Sequence, residues 1–302
     1  MSILTEREQA EIARADASGR PAIVLVHGLW LLAESWRDWR ALLEDAGYAT
    51  LAPGWPGDPE TVEEARRRPE ALAGLLLGQV TAHLAEVVGR LRTRPALIGH
   101  SFGGLVAQWL AGRGLAAATV AIDPAPFRGV LPLPLSALRA ALPVLANPAN
   151  RRRAVALTSE QFRYAFANAV SEDEARRLHA AHSVAGPAVL LFQAAAANLN
   201  PWTEVAVETL APGRGPLLIL SGERDHTVPR AMARAAWVRQ RRNPGVTEFH
   251  EVAGRGHSLI IDGGWREVAD LALAFLRRHH PAFGAGETIG GARSAHGGAP
   301  RP

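Results

Sequence analysis

Leu97-Ile98-Gly99-His100-Ser101-Phe102-Gly103-Gly104 is the stretch that decides how this 302-residue chain is read. It has the pattern of a short apolar strand, a tight turn through Gly99, Ser101 and Gly103, and a helix beginning near Leu105. The Gly-x-Ser-x-Gly spacing has a steric reason. A serine held on a sharp strand-to-helix turn sits in strained backbone, and side chains two residues before and after it would collide. Glycine removes both collisions and leaves the hydroxyl exposed above the sheet edge. The N–H groups that open the following helix point to the same place, where negative charge would develop during acyl transfer.

Moving outward, the same strand-then-helix rhythm continues on both sides. Residues 1–20 form a polar, Glu/Arg/Ala-rich segment with the pattern of a short surface helix ending at Gly19. Ala22-Ile23-Val24-Leu25-Val26 is a continuous apolar run, as expected of a strand buried on both faces of a parallel sheet. Trp36, Trp39, Leu42 and Leu43 recur at helical spacing before Gly47, and Tyr48 to Ala52 reads as a strand. A helical pattern from Leu72 to Arg90 leads into the serine turn. Beyond it come a strand over Ala117–Ile122, a strand over Gly215–Leu220, a helix over Arg230–Arg241, a strand over Thr247–Val252 and a helix over Trp265–Arg278. Between Phe127 and Pro212 the beat changes. No strand stands out there, and helices are expected over Ser136–Leu145, Ser159–Val170 and Glu172–His182. From Pro281 the tail is rich in Gly, Ala, Arg and Pro and is expected to be disordered.

Strands separated by helices predict an α/β fold with a doubly wound, mostly parallel sheet. In such sheets ligands bind beyond the strand C-termini. Ser101, Asp123, Asp225 and His257 each follow a strand, so all are expected at one edge.

Composition removes several chemistries. There is no cysteine, which excludes thiolate nucleophiles, disulfides and thiolate metal sites. All 33 basic residues are arginine, so Schiff-base catalysis, pyridoxal phosphate anchoring and a P-loop lysine are excluded as well. The arginines are scattered among 29 acidic residues with no basic stripe carrying aromatics, so no nucleic-acid partner is expected. No apolar run is long enough for a membrane span, and the N-terminus shows no signal peptide, so a cytoplasmic location is expected. No Gly-x-Gly-x-x-Gly follows a strand. His179 and His182 share a helix face without a third metal ligand. No cofactor and no metal are expected.

Four motifs in this order resemble the α/β-hydrolase superfamily over roughly residues 20–280: His27-Gly28-Leu29-Trp30, Gly99-His100-Ser101-Phe102-Gly103-Gly104, Gly222-Glu223-Arg224-Asp225-His226-Thr227-Val228-Pro229 and Gly254-Arg255-Gly256-His257. The antiparallel strands that precede the His-Gly motif in that family are mostly missing, which implies a sheet nearer six strands than eight. The resemblance implies Ser101 as nucleophile, His257 as general base and Asp225 as the acid that orients it. Asp123 is the competing acid, because some members take the acid from that earlier strand end. The backbone N–H groups of Leu29 and Phe102 are the expected oxyanion hole. Haloalkane dehalogenases and epoxide hydrolases of this fold carry an aspartate where Ser101 stands, and the hydroxynitrile lyases resembled by His27–Trp39 use a lysine that is absent here.

On this reading residues 21–126 and 213–280 form the core, and residues 127–212 a helical cap inserted after the strand ending at Ile122. Trp30, His100, Phe162, Tyr164, Phe166, Phe192 and Trp202 are candidate pocket walls, and His226 is expected to face outward. The implied function is a cofactor-free serine hydrolase of a largely apolar small-molecule ester, thioester or amide. Perhydrolysis or acyl transfer by the same triad, and a non-catalytic ligand receptor on this fold, remain alternatives.

Overall fold

A computed structural model describes residues 4–279. The tail from Pro281, expected to be disordered, lies outside the described residues. Helix α1 (Glu6–Ser18) is closed at its start by a Thr5–Glu8 capping box and at its end by Gly19 in the left-handed conformation. The elements then follow in the order β1 (Ala22–Val26), α2 (Arg37–Asp45), β2 (Ala49–Leu51), α3 (Val62–Arg67), α4 (Leu77–Gly89), β3 (Ala96–His100), α5 (Phe102–Gly112) and β4 (Ala118–Ile122). Between β4 and the next strand of the main sheet lie α6 (Leu135–Leu145), β5 (Ala154–Val155), α7 (Ser159–Ala165), α8 (Glu172–His182), β6 (Gly186–Pro187) and α9 (Val189–Ala196). The chain closes with β7 (Leu217–Gly222), α10 (Arg230–Gln240), β8 (Thr247–Val252) and α11 (Trp265–His279).

Six strands form one parallel sheet in the order β2-β1-β3-β4-β7-β8, the size expected from the sequence. The inner strands β1, β3, β4 and β7 are buried throughout, which is why their sequences are mostly apolar rather than alternating, with Thr119 and Ser221 the polar interruptions before the strand ends. The chain leaves β1 toward β2 and returns on the other side with β3. The topological switch point therefore lies between β1 and β3, and the crevice beyond their C-terminal ends is where this architecture binds ligands. Register brings Val26 level with Gly99 and His100 level with Ile122, so the loops after β1, β3 and β4 emerge side by side.

Four local expectations are corrected. The helix expected from Leu72 begins only at Leu77, because Gly74 takes a left-handed conformation at φ 77° and interrupts it. Helices α3 and α9 were not anticipated. The helix expected over Ser159–Val170 stops at Ala165, because the backbone beyond it bonds to the loops after β7 and β8 instead of continuing the helix. Finally, β5 and β6 form a two-residue antiparallel pair in the segment where no strand was expected. No helix among the described residues is long and apolar enough to cross a membrane.

Candidate active site

Ser101 is the N-cap residue of α5 and sits at φ 55°, in the left-handed region. Sterics at the turn match the glycine spacing. A Cβ on Gly99 would collide with the Gly103 carbonyl, and one on Gly103 with the carbonyls of Val26 and His27. The loop after β1 crosses directly over the serine: a Cβ on Gly28 would stand 2.8 Å from that of Ser101. Among the described residues only three other than glycine have positive φ, namely Trp30, Ser101 and Asp123, and all three follow strands at this edge. Strain concentrated in one place marks a site whose geometry the rest of the fold enforces.

The sequence motifs converge here. His257 is fully buried, and its Nδ1–H donates to Asp225 Oδ2 at 2.6 Å. The other oxygen of Asp225 accepts the N–H groups of Thr227 and Val228 at 2.7 and 2.9 Å, which fixes the carboxyl on its loop. His257 Nε2 is buried with no hydrogen-bond partner. Neither Ser101 Oγ nor the N–H groups of Leu29 and Phe102 make a hydrogen bond among the described residues.

Asp123, the competing acid, lies one shell further back. Its Oδ1 accepts the Gly222 N–H at 2.8 Å, bracing the start of the Asp225 loop; its Oδ2 is buried without a well-formed hydrogen bond, and the Ser221 and Asp225 side chains lie against the carboxyl. Burial, and then the charge of Asp225 alongside, push the Asp123 carboxyl well above the usual range. Both causes favour the protonated form of Asp123, in which its contact with the Asp225 side chain is donor to acceptor. The geometry gives the imidazole contact to Asp225 and a supporting position to Asp123.

His100 belongs to the same cluster but does not wall a pocket, contrary to expectation. It is fully buried, and its Nε2–H donates to the backbone carbonyl of His257 at 2.9 Å. Burial, and then the neighbouring His257, hold its imidazole well below the usual histidine range, so it serves as a neutral prop for the base loop. Phe166 is also corrected: its ring meets the His257 ring edge-on at 4.6 Å and closes the site from behind. Phe162 stacks on Phe166 at 5.1 Å and is likewise core rather than pocket. Trp202 is 88% exposed and walls nothing. His226 does not face outward: its ring is half-buried against Tyr164 and bonds to the Tyr164 carbonyl at 3.0 Å.

Some supporting residues had no legible signal. The backbone from Tyr164 to Asn168 ties the acid loop to the base loop. Ala165 O accepts from Thr227 Oγ1, Phe166 O from the Ser258 N–H, and Asn168 Nδ2 donates to Arg224 O. Asp58 holds His27 Nε2 at 2.8 Å and the Trp55 N–H at 2.7 Å, steadying the loop that carries Leu29. Trp39 Nε1–H donates to Ile260 O at 2.9 Å, beside the base loop.

Above Ser101 lies a cavity of about 180 Å³ walled by Trp30, Phe102, Phe127, Leu138, Leu191 and Val228 among others, with no charged residue in its lining. Apart from Ser101, its side chains with hydrogen-bonding atoms are Trp30, Asn198 and Thr227. Each is committed: Trp30 Nε1 to Val155 O, Asn198 to Gly129 N and Val130 O, and Thr227 Oγ1 to Ala165 O. The serine hydroxyl is the one polar side-chain group of the lining left free. A larger groove of about 1230 Å³ opens beside α1 and β2, but its mixed Arg/Glu lining includes none of Ser101, Asp225 and His257. His100, Asp123 and His257 have potential metal-ligating atoms within 4.8 Å of one another. One nitrogen on each ring and one oxygen of Asp123 are already used in the bonds above.

A sequence model described as "Alpha/beta hydrolase family" matches residues 23–287. Over 103 residues the chain is 32% identical to Epoxide hydrolase A of Mycobacterium tuberculosis, a match spanning 34% of this chain and only 30% of that protein. The monoacylglycerol lipase of Paleococcus ferrophilus superposes with a TM-score of 0.58 at 20% identity, covering 85% of this chain and 96% of that one. A pyrethroid hydrolase from Sphingobium faniae JZ-2 superposes with a TM-score of 0.57 at 20% identity, covering 87% and 98%. At these identities the structural likeness speaks for the fold.

Proposed function

The chain belongs to the alpha/beta hydrolase family, and from that premise we propose that it is a serine hydrolase cleaving carboxylic esters of largely apolar small molecules. The observation that carries this reading is the uncommitted Ser101 hydroxyl in an uncharged, apolar cavity, with the His257 imidazole, held by Asp225 and with its other nitrogen buried and free, packed on the ring of the adjoining residue His100. The lipase and pyrethroid hydrolase among the structural neighbours fit the same substrate class.

In this proposal Ser101 Oγ attacks the ester carbonyl as His257 Nε2 takes its proton. The Leu29 and Phe102 N–H groups receive the developing oxyanion, and the strained loops hold them in place before substrate arrives. His257 returns the proton to the departing alcohol. Water, deprotonated by the same nitrogen, then releases the acid and the free serine. Residues 127–212 act as a cap, with Leu138 and Leu191 on its inner side supplying apolar walls. The partial sequence relative is an epoxide hydrolase. With serine rather than aspartate at position 101, however, the nucleophile suits acyl carbon better than an epoxide ring.

Labelling with a fluorophosphonate probe tests the nucleophile. The expected result is one adduct, on Ser101, abolished in Ser101→Ala together with turnover of p-nitrophenyl esters. Folded protein that neither takes the probe nor hydrolyses any ester of a graded chain-length series would sink the reading.

A further inference from the structure

The segment entering the cap combines two features that the esterase reading does not use. On α6, Ala137, Ala140 and Val144 form the buried side, while Leu138, Ala141 and Leu145 line the cavity. Helical spacing places Leu135, Arg139 and Leu142 together on the remaining side. That side faces outward: Leu135 is 84% exposed and Leu142 58%. Leu131 and Leu133, just before the helix, are exposed as well and also line the cavity. The exposed leucines therefore run without interruption into the wall of the active-site cavity. Beside them, the loop carrying the exposed Leu199 and Trp202 is tethered to the start of this segment by Arg128 donating to Pro201 O at 3.0 Å and by Asn198 bonding Gly129 and Val130. A monomer has no use for so large an apolar face around a cavity mouth.

Charge identifies the occupant. From Pro124 to Ser159 the chain carries five arginines, at 128, 139, 151, 152 and 153, and no acidic residue. All five are exposed, and none makes an ion pair among the described residues. Leucines to enter an acyl layer, a tryptophan at its margin and guanidinium groups without carboxylate partners for phosphates are the elements of an interfacial anchor. A self-associating face would set Arg139, with four further like charges within the same stretch of chain, near those of its own copy. We propose that this face docks on an anionic lipid surface, with the cavity mouth against the lipid, so that apolar esters enter from the lipid rather than from water. Docking itself does not depend on the esterase reading; only the delivery of substrate does.

The test uses the full chain carrying Ser101→Ala, so that no lipid is consumed. Flotation is measured with vesicles of phosphatidylcholine alone and of phosphatidylcholine mixed with phosphatidylglycerol. Binding is expected to the anionic vesicles, weakening in high salt and falling about tenfold or more with Arg151→Gln/Arg152→Gln/Arg153→Gln. Leu135→Asp/Leu142→Asp, at positions outside the cavity lining, is expected to abolish it while leaving turnover of a short soluble ester unchanged in the Ser101 form. That second readout also shows that the variant is folded. Absence of binding to the anionic vesicles overturns the proposal. So does binding that ignores lipid charge and the arginine changes, or a dimer in ultracentrifugation that the leucine variant dissociates without any vesicle binding. A wild-type protein inactive on soluble esters would sink the esterase reading and leave the docking result standing.

Discussion

Asp123 and Asp225 are chemically the same residue at the ends of neighbouring strands, and their surroundings separate their roles. Asp225 accepts from His257 and two backbone N–H groups, whereas Asp123 accepts one N–H and otherwise lies against the Ser221 and Asp225 side chains. Replacing each by asparagine should separate them in kinetics. Asp225→Asn is expected to lower kcat by about a thousandfold or more, since an amide can present the wrong partner to the imidazole. Asp123→Asn should stay within about tenfold of wild type, because an amide reproduces a neutral carboxyl; the larger loss appearing at Asp123 would reverse the assignment. A pH signature follows from the same residue. Its folded carboxyl is raised above the unfolded value, so folding takes up a proton once the pH exceeds the ordinary aspartate range. From there upward wild-type stability falls with rising pH until the raised value is reached. Asp123→Asn lacks this loss, and the gap between their denaturation midpoints should widen in the variant's favour as pH rises above the ordinary aspartate range. A gap independent of pH would show that Asp123 is ionised in the fold. The resemblance puts Asp225 first and Asp123 as its competitor; which loop reaches the imidazole is set by the fold and not by the residues around either aspartate.

At the scale of elements, what could be read in advance was whatever had a local cause. Apolar runs gave the central strands, and the glycine spacing gave the serine turn. Gly103 is the sharpest case, because its missing side chain makes room for backbone carbonyls that cannot move aside. Gly103→Ala is expected to cost about 3 kcal/mol or more and to remove activity, measured by urea unfolding and ester turnover; a variant of normal stability would mean that the turn is looser than its packing indicates. What could not be read was set by distant partners. Nothing in Ser159–Val170 announces that the helix must stop at Ala165, because the stop is made by Thr227, Arg224 and Ser258. Phe166 and His100 were recognised as belonging to the site but placed in the pocket, since a sequence shows which aromatic groups are near a motif and not which side of the histidine they occupy.

Across the whole molecule, the two edges of the sheet are protected differently. β8 is a half-exposed polar edge, while β2 is only three residues long and is covered by α1. The cover is fastened by Glu11, a nearly buried carboxylate that takes the Ala52 N–H at 3.2 Å and Arg40 at 2.7 Å, with Arg7 and Arg14 within 4 Å. Its arginine partners are partly exposed, so solvent screens the ion pairs. Glu11→Leu is therefore expected to cost about 1–2 kcal/mol, read as a lowered unfolding midpoint with turnover per folded molecule unchanged. Loss of turnover without loss of stability would mean that α1 communicates with the site. That the sheet would be short at this edge was legible from the missing strands; that a helix would be fastened over it was not, because Glu11 finds its partners across the fold.

The committed polar groups of the cavity have a consequence for selectivity. With Trp30, Asn198 and Thr227 already bonded, the space above Ser101 offers a guest hydrocarbon surroundings with one uncommitted side-chain hydroxyl at its floor. Affinity should then track partitioning, rising about fourfold for each methylene until the volume is filled. Inert hydrocarbons of matching size should compete with ester while offering nothing to cleave. Selection in such a site is by size and oiliness, and a guest's own polar groups gain nothing there unless they reach the serine.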